Sequence, residues 1–406
     1  MEIRKITAQE RADILRGMDY AYSEWSEREI EASQLNTINP DDAWAVFVDG
    51  KIASGLINHN FKQSVRGVVK GMGGIGGVWT YPEYRNRGYV RKLLLTAFIE
   101  MTQRNAAVSM LIPFKETFYS AFGYVTANSN LDVKASLHSL IHAFEPKADP
   151  EWQFERVPAS HIKNEFFAFM LAVASKQYHG INLPVNMTDE KWKLRTQKEL
   201  CIFVKHNHQL VALAIYSIDA NGFKPKSDRA ISVYQMFWNN LKARDKLFSF
   251  FASHRDQVGY IMLDLPFSTN FYQWFRNITE PYEPLMMNSF FRRIPYMVRV
   301  IDVETAIADL PAPAKGKVTL EISDSHCNWN NGIFTVEEQD GKLTVLSEQT
   351  QPDIQLTIQG ISALVYGTLP FEEIEYRQWL NVLNPDARET LEKWFSVLPI
   401  YNTFRF

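Results

Sequence analysis

The chain has 406 residues, 46% apolar, 13% aromatic and 22% charged, with 43 Lys and Arg against 46 Asp and Glu for a net charge of −3. That composition excludes a disordered chain, and the slight acidic balance argues against a general nucleic-acid binder, which carries a basic excess. No apolar run reaches the ~18 residues of a membrane-spanning helix, and two distant cysteines, Cys201 and Cys327, argue against a disulfide framework or a thiolate zinc site. The opening Met1-Glu2-Ile3-Arg4-Lys5-Ile6 lacks the apolar core of a secretory signal, so the expectation is a reduced, cytoplasmic protein.

In chain order, Thr7 and Glu10 form a capping box ahead of Ile14, Leu15, Met18, Ala21 and Tyr22, which recur at helical spacing. Residues 44–48 and 52–57 read as a hairpin joined at Asp49-Gly50, a tight-turn pair. A Gly-rich strand at 74–80 leads into a helix whose Val90, Leu93, Leu94, Ala97, Phe98 and Met101 make one apolar stripe. A short strand at 108–112 then ends at Pro113. The plan repeats. A hairpin at 201–205 and 210–218 is followed by a strand at 231–236, a helix, and a strand at 260–265 that ends at Pro266. Phe118-Tyr119-Ser120-Ala121-Phe122 follows Pro113, Phe271-Tyr272-Gln273-Trp274-Phe275 follows Pro266, and each tyrosine lies six residues after its proline. This is the signature of an internal duplication. The last stretch changes character, with short strands at 318–322, 333–336, 343–346 and 354–358 and apolar helical segments at 361–366 and 387–398. The fold class expected is α/β with α+β character, in three domains at 1–148, 149–290 and 291–406.

The sharpest chemical signal is Arg85-Asn86-Arg87-Gly88-Tyr89-Val90, between a strand and an amphipathic helix. A Gly-containing turn there lets backbone N–H groups converge at a helix N-terminus, which favours a diphosphate, with Arg85, Arg87 and Arg91 near enough to pair with its oxygens. It is neither a Walker loop nor GxGxxG, which disfavours ATP and NAD. A plain basic turn at a helix start is the alternative reading. His206 and His208 alternate at a hairpin tip without further ligands, so no metal is expected.

Arg-x-x-Gly-x-small between strand and helix resembles the acetyl-CoA signature of the GNAT acetyltransferase superfamily, with Val90 where Gly or Ala is usual. Together with Gly77-Val78-Trp79-Thr80 before it and Phe118-Tyr119-Ser120-Ala121-Phe122-Gly123-Tyr124 after it, the loop resembles the enhanced intracellular survival (Eis) family of N-acetyltransferases. The resemblance spans the chain: two tandem GNAT-like domains, the second degenerate, and a C-terminal domain similar to sterol carrier protein. It implies acetyl-CoA as co-substrate, held by Val78, Trp79 and Thr80 on the strand, by Asn86, Arg87, Gly88, Tyr89, Val90 and Arg91 on the loop and helix, and by Phe114 and Lys115 beyond the next strand. It implies Tyr119 as general acid, with Tyr124 a weaker candidate, and the C-terminal carboxylate, here of Phe406, as base. The partners implied are a small-molecule amine or a protein lysine and further copies of the chain in a hexamer.

Two features depart from or temper that pattern. Arg405 stands where the family has an acidic residue, which opposes a cationic aminoglycoside. The second phosphate turn, Trp238-Asn239-Asn240-Leu241-Lys242, has no Gly, so the second repeat is read as having lost its cofactor and Tyr272 as structural. Asp19, Glu24, Glu27, Glu29 and Glu31, interleaved with Tyr22 and Trp25, are candidate acceptor-site acids or simply a solvated helix face. A rival function is a lipid or apolar-ligand binding protein whose third domain does the work and whose first domain only senses acetyl-CoA.

Overall fold

Asp49 and Gly50 both adopt left-handed backbone angles, φ 49° and 77°, and close the expected hairpin between Ala43–Val48 and Lys51–Val65. The second strand runs well beyond 57 because polar Asn58, Asn60, Lys62 and Ser64 remain in register with Val68–Thr80. Tertiary pairing, not hydrophobic alternation, extends it. The computed structural model describes residues 1–22, 30–128, 130–140, 144, 149–177, 180–185, 187–219, 224–225, 228–275, 289–292, 294–348 and 350–402, with backbone alone at 33, 174–177 and 289–292.

The first sheet has the neighbour order Glu2–Lys5, Ala43–Val48, Lys51–Val65, Val68–Thr80, Ala106–Leu111, Met297–Val300 and Val125–Thr126. Val68–Thr80 and Ala106–Leu111 are parallel, and the other neighbours are antiparallel. The amphipathic helix Tyr89–Gln103 connects the parallel pair and buries Leu93, Leu94, Ala97, Phe98 and Met101 against Leu56, Ile75 and Leu111.

The second sheet has the same plan. Its order is Ser289–Arg292, Leu131–Ser136, Tyr260–Leu265, Ala230–Trp238, Gln209–Asp219, Leu200–His206 and Trp152–Pro158. Its single parallel pair, Ala230–Trp238 with Tyr260–Leu265, is bridged by the helix Leu241–Ala252. The duplication is therefore visible in both sheets, with one exchange. The antiparallel strand beside the parallel pair is Met297–Val300 in the first sheet and Leu131–Ser136 in the second. Residues 131–136, expected in the first domain, thus join the second sheet, and residues 297–300, expected in the last domain, join the first.

That exchange moves the boundaries expected at 148 and 290. One compact unit comprises residues 1–127 and 295–398, and the other comprises 128–294 together with 399–402 among the described residues. Within the first unit, residues 303–398 carry a separate five-stranded sheet in the order Lys342–Leu346, Gly332–Gln339, Lys317–Ser323, Ile354–Thr357, Leu380–Val382. Its helix Ile358–Tyr366 is buried along its length and packs on Met297–Val300. In the second unit, Tyr401 is buried against Phe237, its hydroxyl donates to the Asp264 carbonyl at 3.0 Å, and Asn130 donates to the Asn402 carbonyl at 2.7 Å. The Asn402 end of the described chain is thus held in place. No helix of the described residues is long and apolar enough to cross a membrane.

Candidate active site

Gly88 is the N-cap of the helix Tyr89–Gln103 and sits in the left-handed region at φ 74°, with no side chain capping the helix. A Cβ there would meet nothing within 4 Å, so backbone angle rather than space selects glycine. The first intrahelical donor is Lys92 N–H, which bonds the Gly88 carbonyl at 3.1 Å. The earlier N–H groups have no intrahelical partner and point out of the positive end of the helix. Asn86, also left-handed at φ 61°, makes the preceding turn.

Two of the three arginines brace this loop. Arg85 Nε donates to the Thr80 carbonyl at 3.2 Å, and Arg87 Nη2 donates to the Glu83 carbonyl at 3.0 Å with its guanidinium 5.4 Å from the Tyr84 ring. Each retains further N–H donors, and Arg85, Arg87 and Arg91 are all exposed.

The adjoining strand is shaped by a bulge. Gly55 pairs with Trp79 and Ile57 with Gly76, so Leu56 faces both Gly77 and Val78. Gly77 takes φ 54° to accommodate the extra residue. On the other side, pairing with Ala106–Leu111 stops at Ile75 opposite Leu111, and residues 76–80 continue past the end of that neighbour. The cleft opens beside residues 78–80, past the end of that neighbour. Ser54 donates to the Trp79 carbonyl at 2.7 Å, and the Tyr22 hydroxyl donates to the Val78 carbonyl.

The cleft has a volume of about 850 Å³ and is lined by Val78, Trp79, Thr80, every residue from Asn86 to Arg91, and Phe114. Every co-substrate residue expected from the sequence is there except Lys115, which is exposed, lies outside the lining and takes the N-cap position of the next short helix without a side-chain cap, and the expected general acid Tyr119 is not among the lining residues either. Phe406 and the acids Glu24, Glu27 and Glu29 lie outside the described residues, while Asp19 and Glu31 are described but do not line the cleft. Tyr20, Tyr84 and Phe118 line it too, with no role in the cleft expected for them. Their signal was an aromatic spacing that an amphipathic helix or a turn explains equally well. Among the described lining residues no carboxylate occurs, and the charged ones are all arginines. Open N–H donors, a positive helix end and these arginines together fit a diphosphate.

Tyr119, on the helix Glu116–Ser120, is 2% exposed and sits edge-on to Phe114, Phe118 and Tyr124, with ring centroids 5.4, 5.1 and 6.1 Å away. Burial, reinforced by the nearby Tyr22 and Tyr124 phenols, pushes its pKa well above the usual 10, so its proton is retained at neutral pH. Tyr124 cannot take its place. Ser109 gives its hydroxyl proton to the Gly73 carbonyl at 2.7 Å, so the 2.7 Å contact between Ser109 and Tyr124 must use the Tyr124 proton.

The second repeat is closed at the equivalent point. The Asn240 side chain accepts from Ala243 N–H at 2.9 Å and so caps its own helix. Tyr272 is half-exposed and stacks on Phe271 at 4.4 Å. Where Gly88 leaves donors open, Asn240 consumes one.

Comparison with known proteins agrees with this geometry. Residues 2–127 match the family described as acetyltransferase (GNAT) domain, and residues 303–400 match the sterol carrier protein domain. No curated protein matches the sequence. GCN5-related N-acetyltransferases from Kribbella flavida and Anabaena variabilis superpose with TM-scores of 0.82 and 0.80 at 17% and 16% identity, covering all of this chain and 98% and 100% of theirs. The fold is thus that of an acetyltransferase enzyme of the GNAT type. Eis1 from Mycobacterium abscessus shares that fold over the whole length of both chains, with a TM-score of 0.78 at 16% identity.

Proposed function

We propose that this protein is an acetyl-CoA-dependent N-acetyltransferase acting on primary amines by direct transfer. The observation that carries the reading is the uncapped helix start at Gly88 beside a bulged strand that outruns its parallel neighbour, with a protonated phenol at Tyr119 packed behind Phe114 and Phe118 of the same cleft. The N–H groups of Gly88 to Arg91 would hold the diphosphate, and the unpaired strand edge at 76–80 the pantetheine arm. In the transfer, the amine nitrogen bonds to the thioester carbonyl carbon and the carbon–sulfur bond breaks. A strand N–H on the carbonyl oxygen stabilises the developing charge, an effect worth about 3 kcal/mol for one such donor. Tyr119 gives its proton to the departing sulfur and regains one from solvent, a role contributing roughly 10²–10⁴-fold. The proton lost by the amine goes, through water, to the carboxylate of Phe406. Such a group has a pKa near 3.5 and is ionised at neutral pH.

The acceptor is a small polyamine or aminoglycoside, or a lysine side chain. Aromatic Tyr20, Tyr22 and Phe114, each more than 40% exposed at the cleft, offer faces to an organic ammonium group. The test is CoA release from acetyl-CoA with kanamycin, spermidine and an acetyl-blocked lysine. Release that depends on one of these amines, falling about 100-fold in Tyr119→Phe, supports the reading, and release with none of them overturns it. A C-terminal extension that leaves full activity removes the Phe406 carboxylate from the mechanism.

The lipid-binding alternative rested on the apolar helices of the last domain. Those apolar side chains are consumed by packing: every residue of Ile358–Tyr366 but Gln359 is buried, and Pro385–Trp394 buries Ala387, Leu391 and Trp394.

A further inference from the structure

Arg299, on Met297–Val300 of the first sheet, has no exposed surface, and neither does the side chain of Asp324, in the loop after Lys317–Ser323 of the sterol-carrier-like domain. Their ion pair is 2.6 Å long. Asp324 is held from every side. Its Oδ1 accepts from the His326 and Cys327 N–H groups at 3.0 and 3.2 Å, and its Oδ2 accepts from Asn330 Nδ2 at 3.0 Å. Arg299 in turn lies over the Phe98 ring at 4.6 Å and reaches Cys327 Sγ at 3.0 Å. Its remaining terminal nitrogen, Nη1, donates to the carbonyl of Phe122.

Phe122 belongs to the turn that ends the Tyr119 helix. Its N–H bonds the Tyr119 carbonyl at 2.9 Å, Tyr124 N–H bonds the same carbonyl at 3.3 Å, and Gly123 N–H bonds Ser120 at 3.0 Å. Gly123 takes φ 85°, and a Cβ there would fall 2.3 Å from Arg299 Nη1, so the turn is built for close approach of the guanidinium.

A buried ion pair is a poor device for stability alone, because apolar side chains of similar volume hold such an interface as well or better. Arg299 even leaves its Nε buried without a partner. What apolar side chains cannot do is aim a charged donor at one carbonyl. We infer that Arg299 and Asp324 are positioning residues for Tyr119: the sterol-carrier-like domain fixes the guanidinium, the guanidinium fixes the Phe122 carbonyl, and that turn fixes the phenol. The inference rests on the reading of Tyr119 as proton donor.

The test combines Arg299→Met/Asp324→Leu, an apolar replacement chosen to keep the fold, with Arg299→Lys, which keeps the charge but presents only one nitrogen to two partners. Each is made in the wild-type and Tyr119→Phe backgrounds and assayed with acetyl-CoA and whichever of kanamycin, spermidine and acetyl-blocked lysine is turned over fastest. Expected are CoA affinity within about 2-fold of wild type, kcat lowered about 10- to 100-fold, and almost no further loss in the Tyr119→Phe background. Equal fractional losses in the two backgrounds, or an unchanged kcat, overturn the inference while leaving the proton-donor reading intact. Unchanged turnover in Tyr119→Phe alone overturns that reading first, and this inference with it.

Discussion

The Tyr22 hydroxyl donates to the main-chain carbonyl of Val78, 56 residues along the chain, where the bulged strand has run past its parallel neighbour. A helix end thereby ties down the strand edge proposed to meet the thioester. One such bond is worth about 1 kcal/mol, or roughly 5-fold in an equilibrium. Tyr22→Phe is expected to raise KM for acetyl-CoA by about that factor while the melting temperature changes little, measured by steady-state kinetics and thermal denaturation. An unchanged KM would show that the tie does not shape the donor site.

The Trp79 indole fills the space beside Gly17, where a Cβ would lie 2.1 Å from its ring. In an ordinary helix Gly→Ala gains about 1 kcal/mol. Here overpacking, costing roughly 1–3 kcal/mol, outweighs that gain. Gly17→Ala is expected to lower the melting temperature, and a rise would contradict the packing described.

Glu100, on the helix that carries the phosphate loop at its start, is buried yet bonded by Lys5 at 2.6 Å, Trp44 Nε1 at 2.7 Å, Asn58 Nδ2 at 2.8 Å and Arg104 at 2.7 Å. Burial alone would raise its pKa, but the hydrogen bonds from Lys5, Trp44 and Asn58 and the charge of Arg104 prevail and hold it below 4.5. A depressed folded-state pKa stabilises above the unfolded value and loses that contribution as pH falls through the folded one. Glu100→Gln should therefore melt well below wild type at pH 7, with the gap narrowing below about pH 4.5. A gap independent of pH would mean that the carboxylate charge contributes nothing.

Tyr119 carries a pKa raised above that of an ordinary phenol. Its proton is therefore available throughout the accessible alkaline range, and kcat should show no fall near pH 10 that depends on this residue. A limb near pH 10 that disappears in Tyr119→Phe would contradict the burial that defines the site.

Much of this site could be read from the sequence because its determinants are local. Gly88 between a strand and an apolar stripe specifies a left-handed helix start, and the matching Pro113–Tyr119 and Pro266–Tyr272 spacings disclose the duplication. The missing glycine of the second turn was legible as well, and in the structure Asn240 there caps its own helix. The strand exchange was not. Residues 131–136 alternate like any half-buried strand and 297–300 are a short buried run broken by Arg299, and which sheet receives each is decided by long-range pairing that periodicity does not encode. The Arg299–Asp324 pair was hidden for the same reason. Two charged residues 25 apart meet only after two sheets have formed.

Titrating the purified protein with coenzyme A in a calorimeter tests the central claim most directly. The open donors at Gly88 and the capped helix at Asn240 predict one CoA bound per chain, with heat released at a single class of site. Absence of any binding heat, or two equivalent sites per chain, would contradict the account.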